Sequence, residues 1–250
     1  MSKPSIRRAF NRAAASYDSV ATLQREVCKL LLAALPDLAP TTILDAGCGT
    51  GYALGLLADR WPEAQITATD FAPAMLATAG GGVCADIESL PFAAGCFDLY
   101  WSSLTLQWCD VERAIAEAAR TLAPGGRLAV SSLGPGTLAQ LRAAFSGADS
   151  HRHVLDFAPA ETVASSCAAA GLDGIAWTTH SLRLHHASMT ALLKNLKALG
   201  ANQVGRNRRR GLLGRKTWQS VEDRYEKCRE PAGLPATYEV ILCTANKPTS

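Results

Sequence analysis

No run in this chain of 250 residues approaches the ~20 consecutive apolar positions of a membrane span. The opening Met1-Ser2-Lys3-Pro4-Ser5-Ile6-Arg7-Arg8 carries charges with no apolar stretch after them, so no secretory leader is expected. Eight cysteines are scattered without a C-x-x-C or any paired spacing. That excludes a disulfide framework and a zinc site, so the expectation is a reducing cytoplasm and no metal. No histidine stands near Cys48, which therefore reads as a small packing residue and not as a nucleophile. Internal repeats are missing too. Acidic residues are absent from Gly174 through Val221. With 48% hydrophobic residues, the length suits one α/β domain with an insertion. We expect a single domain over 1–250, with N-terminal helices in 1–38 and a basic helical insertion in 188–235.

What the chain does have is Ile43-Leu44-Asp45-Ala46-Gly47-Cys48-Gly49-Thr50-Gly51. An apolar, β-branched stretch after Pro40 runs straight into a glycine-rich turn. A helix follows, its apolar face built from Ala53, Leu54, Leu56, Leu57 and Ala58. Glycines there let the main chain turn sharply and approach a ligand closely. The helix N-terminus offers free N–H groups to a carboxylate or phosphate. The spacing is G-x-G-x-G, and neither Tyr52 nor Leu54 supplies the last glycine of a dinucleotide fingerprint. A pyrophosphate cofactor is therefore not expected. Asp70 ends the next strand, Gln65-Ile66-Thr67-Ala68-Thr69, about 20 positions on, where an acidic side chain can accept from ribose hydroxyls.

Asp45, Gly47, Gly49 and Asp70 together resemble the class I S-adenosylmethionine-dependent methyltransferases. The resemblance implies a Rossmann-like sheet with helices on both faces, S-adenosyl-L-methionine as co-substrate, and no metal. It implies that Asp45 and the glycines hold the methionine part and Asp70 the ribose. Phe71 and Met75 either pack on the adenine face or belong to the core. Asp86, followed by Ile87, either accepts from the adenine amino group or caps a helix, and the resemblance favours adenine.

Strands alternate with helices along the remainder, which argues a mostly parallel sheet. Phe97-Asp98-Leu99-Tyr100-Trp101 reads as a buried strand. Ser102 to Trp108 would then lie at its carboxyl edge, with Ser102 beside the cofactor and Trp108 at the substrate mouth or in the core. The Pro124-Gly125-Gly126 turn separates the next helix from its strand. Ahead of the first strand, the segment ending at Tyr17 and the helix bearing Leu23, Val27, Leu30 and Leu31 either cover the sheet or form a lid. As a lid, they would place Tyr17 on the cofactor or the substrate.

The window from Gly174 to Val221 holds nine basic residues. Subtracting it from 25 basic and 22 acidic leaves 16 against 22, so a +3 chain is a −6 body carrying a +9 patch. Leu192, Leu193, Leu196 and Leu199 give its first helix an apolar stripe, with Lys194 and Lys197 off that stripe. Trp177 and Trp218 are the window's only aromatics, too few for a nucleic-acid reader or a membrane-surface helix. An acidic carrier protein suits Lys194, Lys197, Arg206, Arg208, Arg209, Arg210 and Arg215 best.

Several stretches resemble one subfamily, the malonyl-acyl carrier protein O-methyltransferases of biotin synthesis. They include Ala9-Phe10-Asn11-Arg12-Ala13-Ala14, Asp86-Ile87-Glu88-Ser89-Leu90-Pro91-Phe92, Leu133-Gly134-Pro135-Gly136-Thr137-Leu138, Leu196-Lys197-Ala198-Leu199-Gly200-Ala201-Asn202 and Gly233-Leu234-Pro235-Ala236-Thr237-Tyr238. The resemblance implies methyl transfer to the free carboxylate of malonyl-acyl carrier protein. That carboxylate is already ionised at pH 7 and needs no base. Positioning residues are expected instead: Tyr17, Trp108 and Arg142, the last as charge partner of the carboxylate. Two other readings stand beside this one: methylation of a different small molecule or short-chain acid, and nucleic-acid binding on a Rossmann scaffold.

Overall fold

A computed structural model describes residues 2–201, 211 and 213–249. The sequence lays down α1 (Lys3–Tyr17), α2 (Thr22–Ala33), β1 (Thr42–Ala46), α3 (Tyr52–Arg60), β2 (Gln65–Asp70), α4 (Pro73–Ala79), β3 (Val83–Cys84) and β4 (Phe97–Ser102). A single 3-10 turn (Leu106–Trp108) leads into α5 (Val111–Thr121), β5 (Leu122–Leu133), α6 (Ala139–Phe145), α7 (Ala160–Ala169), β6 (Asp173–His186), α8 (Met189–Ala198), α9 (Arg215–Glu226) and β7 (Leu234–Asn246).

The strands form one seven-stranded sheet in the order β3-β2-β1-β4-β5-β7-β6. Neighbours from β3 to β5 pair in parallel, and β7 runs antiparallel to both β5 and β6. The central strands are apolar on both faces because helices cover both. Ile43, Leu99 and Trp101 point to the side packed by α2, α3, α6, α8 and α9. Leu44, Tyr100, Leu128 and Val130 point to the side packed by α5 and α7. Local chemistry agrees with these boundaries: Asp110 caps α5 by accepting from the Arg113 N–H, and Ser188 caps α8 by accepting from Ala191. Pro73 opens α4, where a missing N–H costs nothing.

Sequence and structure differ at Pro124-Gly125-Gly126. There is no free turn there. β5 already begins at Leu122, and the register against β4 slips between Phe97 and Leu99. Gly125, at φ +79°, bonds Lys247 O across to the end of β7 (2.9 Å), so the turn is absorbed as a bulge in a long strand.

Strand order reverses between β1 and β4. In sheets of this kind, ligands bind at the carboxyl ends of the strands flanking that reversal. The glycine turn leaves β1 at this point. α1 crosses above it on a small contact of its own, where Ala13 and Ala14 meet Ala72 and Met75.

Candidate active site

Two adjoining cavities occupy this edge. The first, of about 580 Å³, lies over the glycine turn and is lined by Gly47, Gly49, Asp70, Phe71, Met75, Asp86, Ile87, Leu104 and Trp108, among others. The second, of about 870 Å³, lies beneath α1, α2 and α8. Phe10, Tyr17, Leu104 and Trp108 line both, so the two communicate at these side chains.

The glycine turn is built to leave room. Gly47 sits at φ +80°, and a Cβ there would meet Thr105 Oγ1 at 2.4 Å. Gly49 sits at φ +56° with nothing within 4 Å of its would-be Cβ, the open side that faces the cavity. Asp70 braces the turn: Oδ2 accepts from Gly49 N (3.0 Å) and Oδ1 from Ala72 N (2.7 Å). Burial raises its pKa, and these bonds oppose the rise.

Asp45 lies beneath the turn, 1% exposed, with Oδ2 unpartnered. Burial, then the nearby Asp70 charge, pushes its carboxyl up to about 8. A buried carboxylate oxygen without a partner is costly unless a cation completes it. The cleft thus holds a buried carboxyl group without a counter-charge beside apolar walls of Phe71, Met75 and Ile87, and a cationic adenosyl sulfonium bearing an ammonium group would favour its ionised form.

The N-terminal helix closes over this cavity, as a lid would. Lys3 Nζ bridges Asp86 (2.8 Å) and Glu88 (2.6 Å). Asn11 Oδ1 accepts from Ala74 N (3.0 Å) and so completes the N-terminus of α4. Thr50, in the glycine turn, donates to Asp18 Oδ1 (2.7 Å). Phe10 stands edge-on to Phe71 (6.3 Å) and to Trp108 (5.5 Å). Tyr17 lines both cavities, and burial raises its phenol, which stays protonated.

Strain marks the junction. Among the described residues, only Leu104 (φ +52°) and Leu138 (φ +55°) are non-glycine residues in the left-handed region. Both line the second cavity. Such a conformation costs about 1–2 kcal/mol and persists where surroundings enforce it. Here Leu104 N bonds Ser131 (2.9 Å to Oγ, 3.2 Å to O) and Leu138 N bonds Thr237 O (2.7 Å).

Three expectations need correction or limit. Ser102 is fully buried in β4 and donates to Ala46 O (2.6 Å), holding the sheet together beneath the cleft. Ser103 and Thr105, the residues that follow, line the cavity instead. Arg142 faces neither cavity. It pairs with Asp156 (3.2 Å), donates to Leu155 O (3.1 Å), and lines a separate outer dent. Asp86 lines the first cavity, but its Oδ1 already accepts from Lys3 and from Glu88 N, so it also caps a turn. Of the basic insertion, Lys194 and Lys197 are exposed and share a shallow dent with Arg12 of α1. Arg215 opens α9, also exposed. Arg206, Arg208, Arg209 and Arg210 lie outside the described residues. Sequence reasoning missed Lys3, Phe10 and Ser103 as well as most of the second cavity. Among the described residues no cluster of three metal-ligating side chains occurs, and no helix is long and apolar enough to cross a membrane.

Comparison with known proteins defines the class first: residues 44–130 match the family model described as a methyltransferase domain. The fold agrees, since the YcgJ protein of Bacillus subtilis superposes with a TM-score of 0.62, covering 90% of this chain and 99% of that one at 16% identity. Full-length relatives narrow it. A malonyl-[acyl-carrier protein] O-methyltransferase of Dechloromonas aromatica (strain RCB) is 47% identical over 249 residues, covering 98% of this chain and 95% of the relative. One from Herminiimonas arsenicoxydans is 40% identical over 250 residues, 98% of this chain and 96% of its own. The chain belongs to the malonyl-[acyl-carrier protein] O-methyltransferase family.

Proposed function

We propose that this chain transfers a methyl group from S-adenosylmethionine to the free carboxylate of a malonyl thioester on acyl carrier protein, giving the methyl ester that primes pimeloyl synthesis for biotin. The observation that carries this reading is the 47% identity to the Dechloromonas aromatica relative along nearly the whole of both chains. The site geometry supports it. S-adenosylmethionine supplies an electrophilic methyl on a sulfonium. Asp45 completes the ammonium of the methionine part, Gly47 and Gly49 line its path, and Asp70 accepts from the ribose. Phe71, Met75 and Ile87 pack on the adenine, with Asp86 at its edge.

The second cavity is then the acyl chamber. Its carboxylate guest is ionised at pH 7, so no proton has to leave. Among the described residues, no carboxylate lines the chamber. Tyr17 and Trp108, common to both cavities, hold the nucleophile in line and exclude water. Such alignment is worth ~7 kcal/mol or more.

Outside, Lys194, Lys197 and Arg12 form no ion pair among the described residues and, with Arg215, offer an acidic carrier a docking face. The opposite face of α8, with Asn195, Leu196 and Leu199, lines the chamber. One helix thus joins the docking face to the acyl site. The test is methyl transfer to malonyl-carrier protein, read as a mass increase of one methyl replacing a proton, together with titration by S-adenosylhomocysteine. Binding of S-adenosylhomocysteine without ester formation would sink the substrate assignment, and no binding would sink the whole reading.

A further inference from the structure

We propose that His153 binds the ionised carboxylate of the acyl substrate, the role Arg142 is not placed to fill. The inference rests on the substrate reading given above. The acyl chamber is lined by no lysine and no arginine among the described residues. Its groups with titratable protons are Tyr17, Tyr238 and His153, and only His153 can become a cation.

The ring is held as a binding group has to be. It stacks on Phe145 with centroids 4.0 Å apart and planes 10° from parallel. Nε2 lies 2.9 Å from Asp149 Oδ1, and Asp149 is itself fixed by the His151 backbone N–H (2.8 Å). Nδ1 has no hydrogen-bond partner among the described residues, and the ring lines the chamber. With Nε2–H given to Asp149, a neutral ring presents only a lone pair at Nδ1, which repels a carboxylate. The imidazolium presents N–H groups to both. Substrate binding therefore selects the charged ring and, where that ring starts neutral, takes up one proton from solvent. The carboxylate then lies between the imidazolium and the opening at Tyr17 and Trp108, charge-paired and out of water.

The charged and titratable surroundings are compatible. On the same loop, Asp149 faces the ring, His151 Nδ1 lies 3.6 Å from Asp149, and Arg152 pairs with Asp156 (2.6 Å). Arg142 of α6 is held by the same Asp156, and Arg224 of α9 donates to Ser146 O (2.6 Å). From α1 and β7 come Tyr17 and Tyr238, both protonated because burial raises them.

The experiment uses the full chain and malonyl-loaded carrier protein. For His153→Gln we expect KM to rise about tenfold or more, the loss of one charge-assisted hydrogen bond, with a smaller change in kcat. Affinity for S-adenosylhomocysteine and for the uncharged methyl-ester product stays as in the parent. The parent's KM rises with pH, and the variant's does not. Calorimetry of the parent in two buffers of different ionisation enthalpy shows proton uptake when malonyl-carrier binds and none with the methyl ester. Should His153→Gln not fold, this last measurement decides alone. An unchanged KM in the variant, or no difference in proton uptake between acid and ester, overturns the role of His153. An active parent with either result leaves the proposed reaction standing, whereas an inactive parent removes the reaction itself.

Discussion

The cofactor cleft and the acyl chamber share four side chains and little else. The cleft grows from the carboxyl ends of β1, β2 and β4. Its polar groups include the Asp70 and Asp86 carboxyls, the Tyr17, Ser103 and Thr105 hydroxyls and the glycine backbone, and Lys3, the only cation in its lining among the described residues, is already shared by two acids. The chamber is walled by α1, α2, α8 and the loop through His153, and among the described residues its lining has neither carboxylates nor permanent cations. One region holds a buried acid without a counter-charge, and the lining of the other holds no acid among the described residues. On the function proposed above, a cationic donor and an anionic acceptor are thereby kept in different environments until they meet between Tyr17 and Trp108. The contrast also predicts where mutations act: changes in the cleft alter stability and cofactor affinity together, while changes around the chamber alter KM for the acyl substrate.

The largest expected break is Asp45→Asn. The folded carboxyl keeps its proton up to about pH 8, whereas an unfolded one loses it near ~4. Between those values the folded state binds more protons, so stability falls as pH rises through the window. Asparagine removes that fall. Ligand-free Asp45→Asn should melt higher than the parent at pH 8, and its melting temperature should be flat where the parent's declines. Affinity for S-adenosylhomocysteine, which carries the same ammonium, should drop by about 100-fold, as when a buried charge loses its partner. Opposite signs for stability and binding would mark Asp45 as a functional and not a structural acid. Equal signs would erase the difference between the two regions.

Gly47→Ala comes next. Its Cβ would be driven onto Thr105, and alanine resists φ +80°. A loss of ~2–3 kcal/mol in denaturant unfolding is expected, along with cofactor binding. Gly49→Ala has free space and should cost only the ~1 kcal/mol of the left-handed backbone. If Gly49→Ala nevertheless loses most of its affinity for S-adenosylhomocysteine, the ligand itself fills that space.

The two regions were also unequally legible in the sequence. Asp45, Gly47, Gly49, Asp70, Phe71, Met75, Asp86 and Ile87 lie in three short stretches, each a strand end running into a turn, where backbone chemistry dictates the residue type. Ser102 shows how narrow that legibility is. Along a strand, faces alternate, so a shift of one residue exchanged the buried Ser102 for the cavity-facing Ser103. The chamber is a product of tertiary packing. His153 sits in a loop without periodicity, and its position depends on stacking against Phe145 of α6. Phe10 belongs to an amphipathic helix whose sequence fixes an apolar face but not what that face covers. Arg142, in the last turn of the seven-residue α6, could have pointed either way, and the helix's packing against α9 and β7 sent it outward.

A smaller effect is expected at the docking face. Lys194→Glu with Lys197→Glu reverses two exposed charges whose attraction to an acidic carrier is screened by water and salt. KM for malonyl-carrier should rise roughly three- to tenfold at low salt and less at high salt, because rim charges act mainly on encounter. Affinity for S-adenosylhomocysteine should not change. A salt-independent rise would mean that α8 had shifted against the chamber and that the two faces of that helix are not separable.

Arg142→Ala should have the least effect, and that makes it the sharpest check on the boundary of the chamber. Its guanidinium is 41% exposed, and Asp156 keeps Arg152 after Arg142 is gone. An exposed pair of this kind contributes ~0.5 kcal/mol, so unfolding should shift only slightly. If the chamber ends at His153, KM for malonyl-carrier stays within about twofold, less than the ~1.4 kcal/mol that a tenfold change represents. A tenfold rise would instead mean that the loop from Asp149 to Asp156 opens during turnover and delivers Arg142 to the carboxylate. The outer dent and the acyl chamber would then be two states of one site.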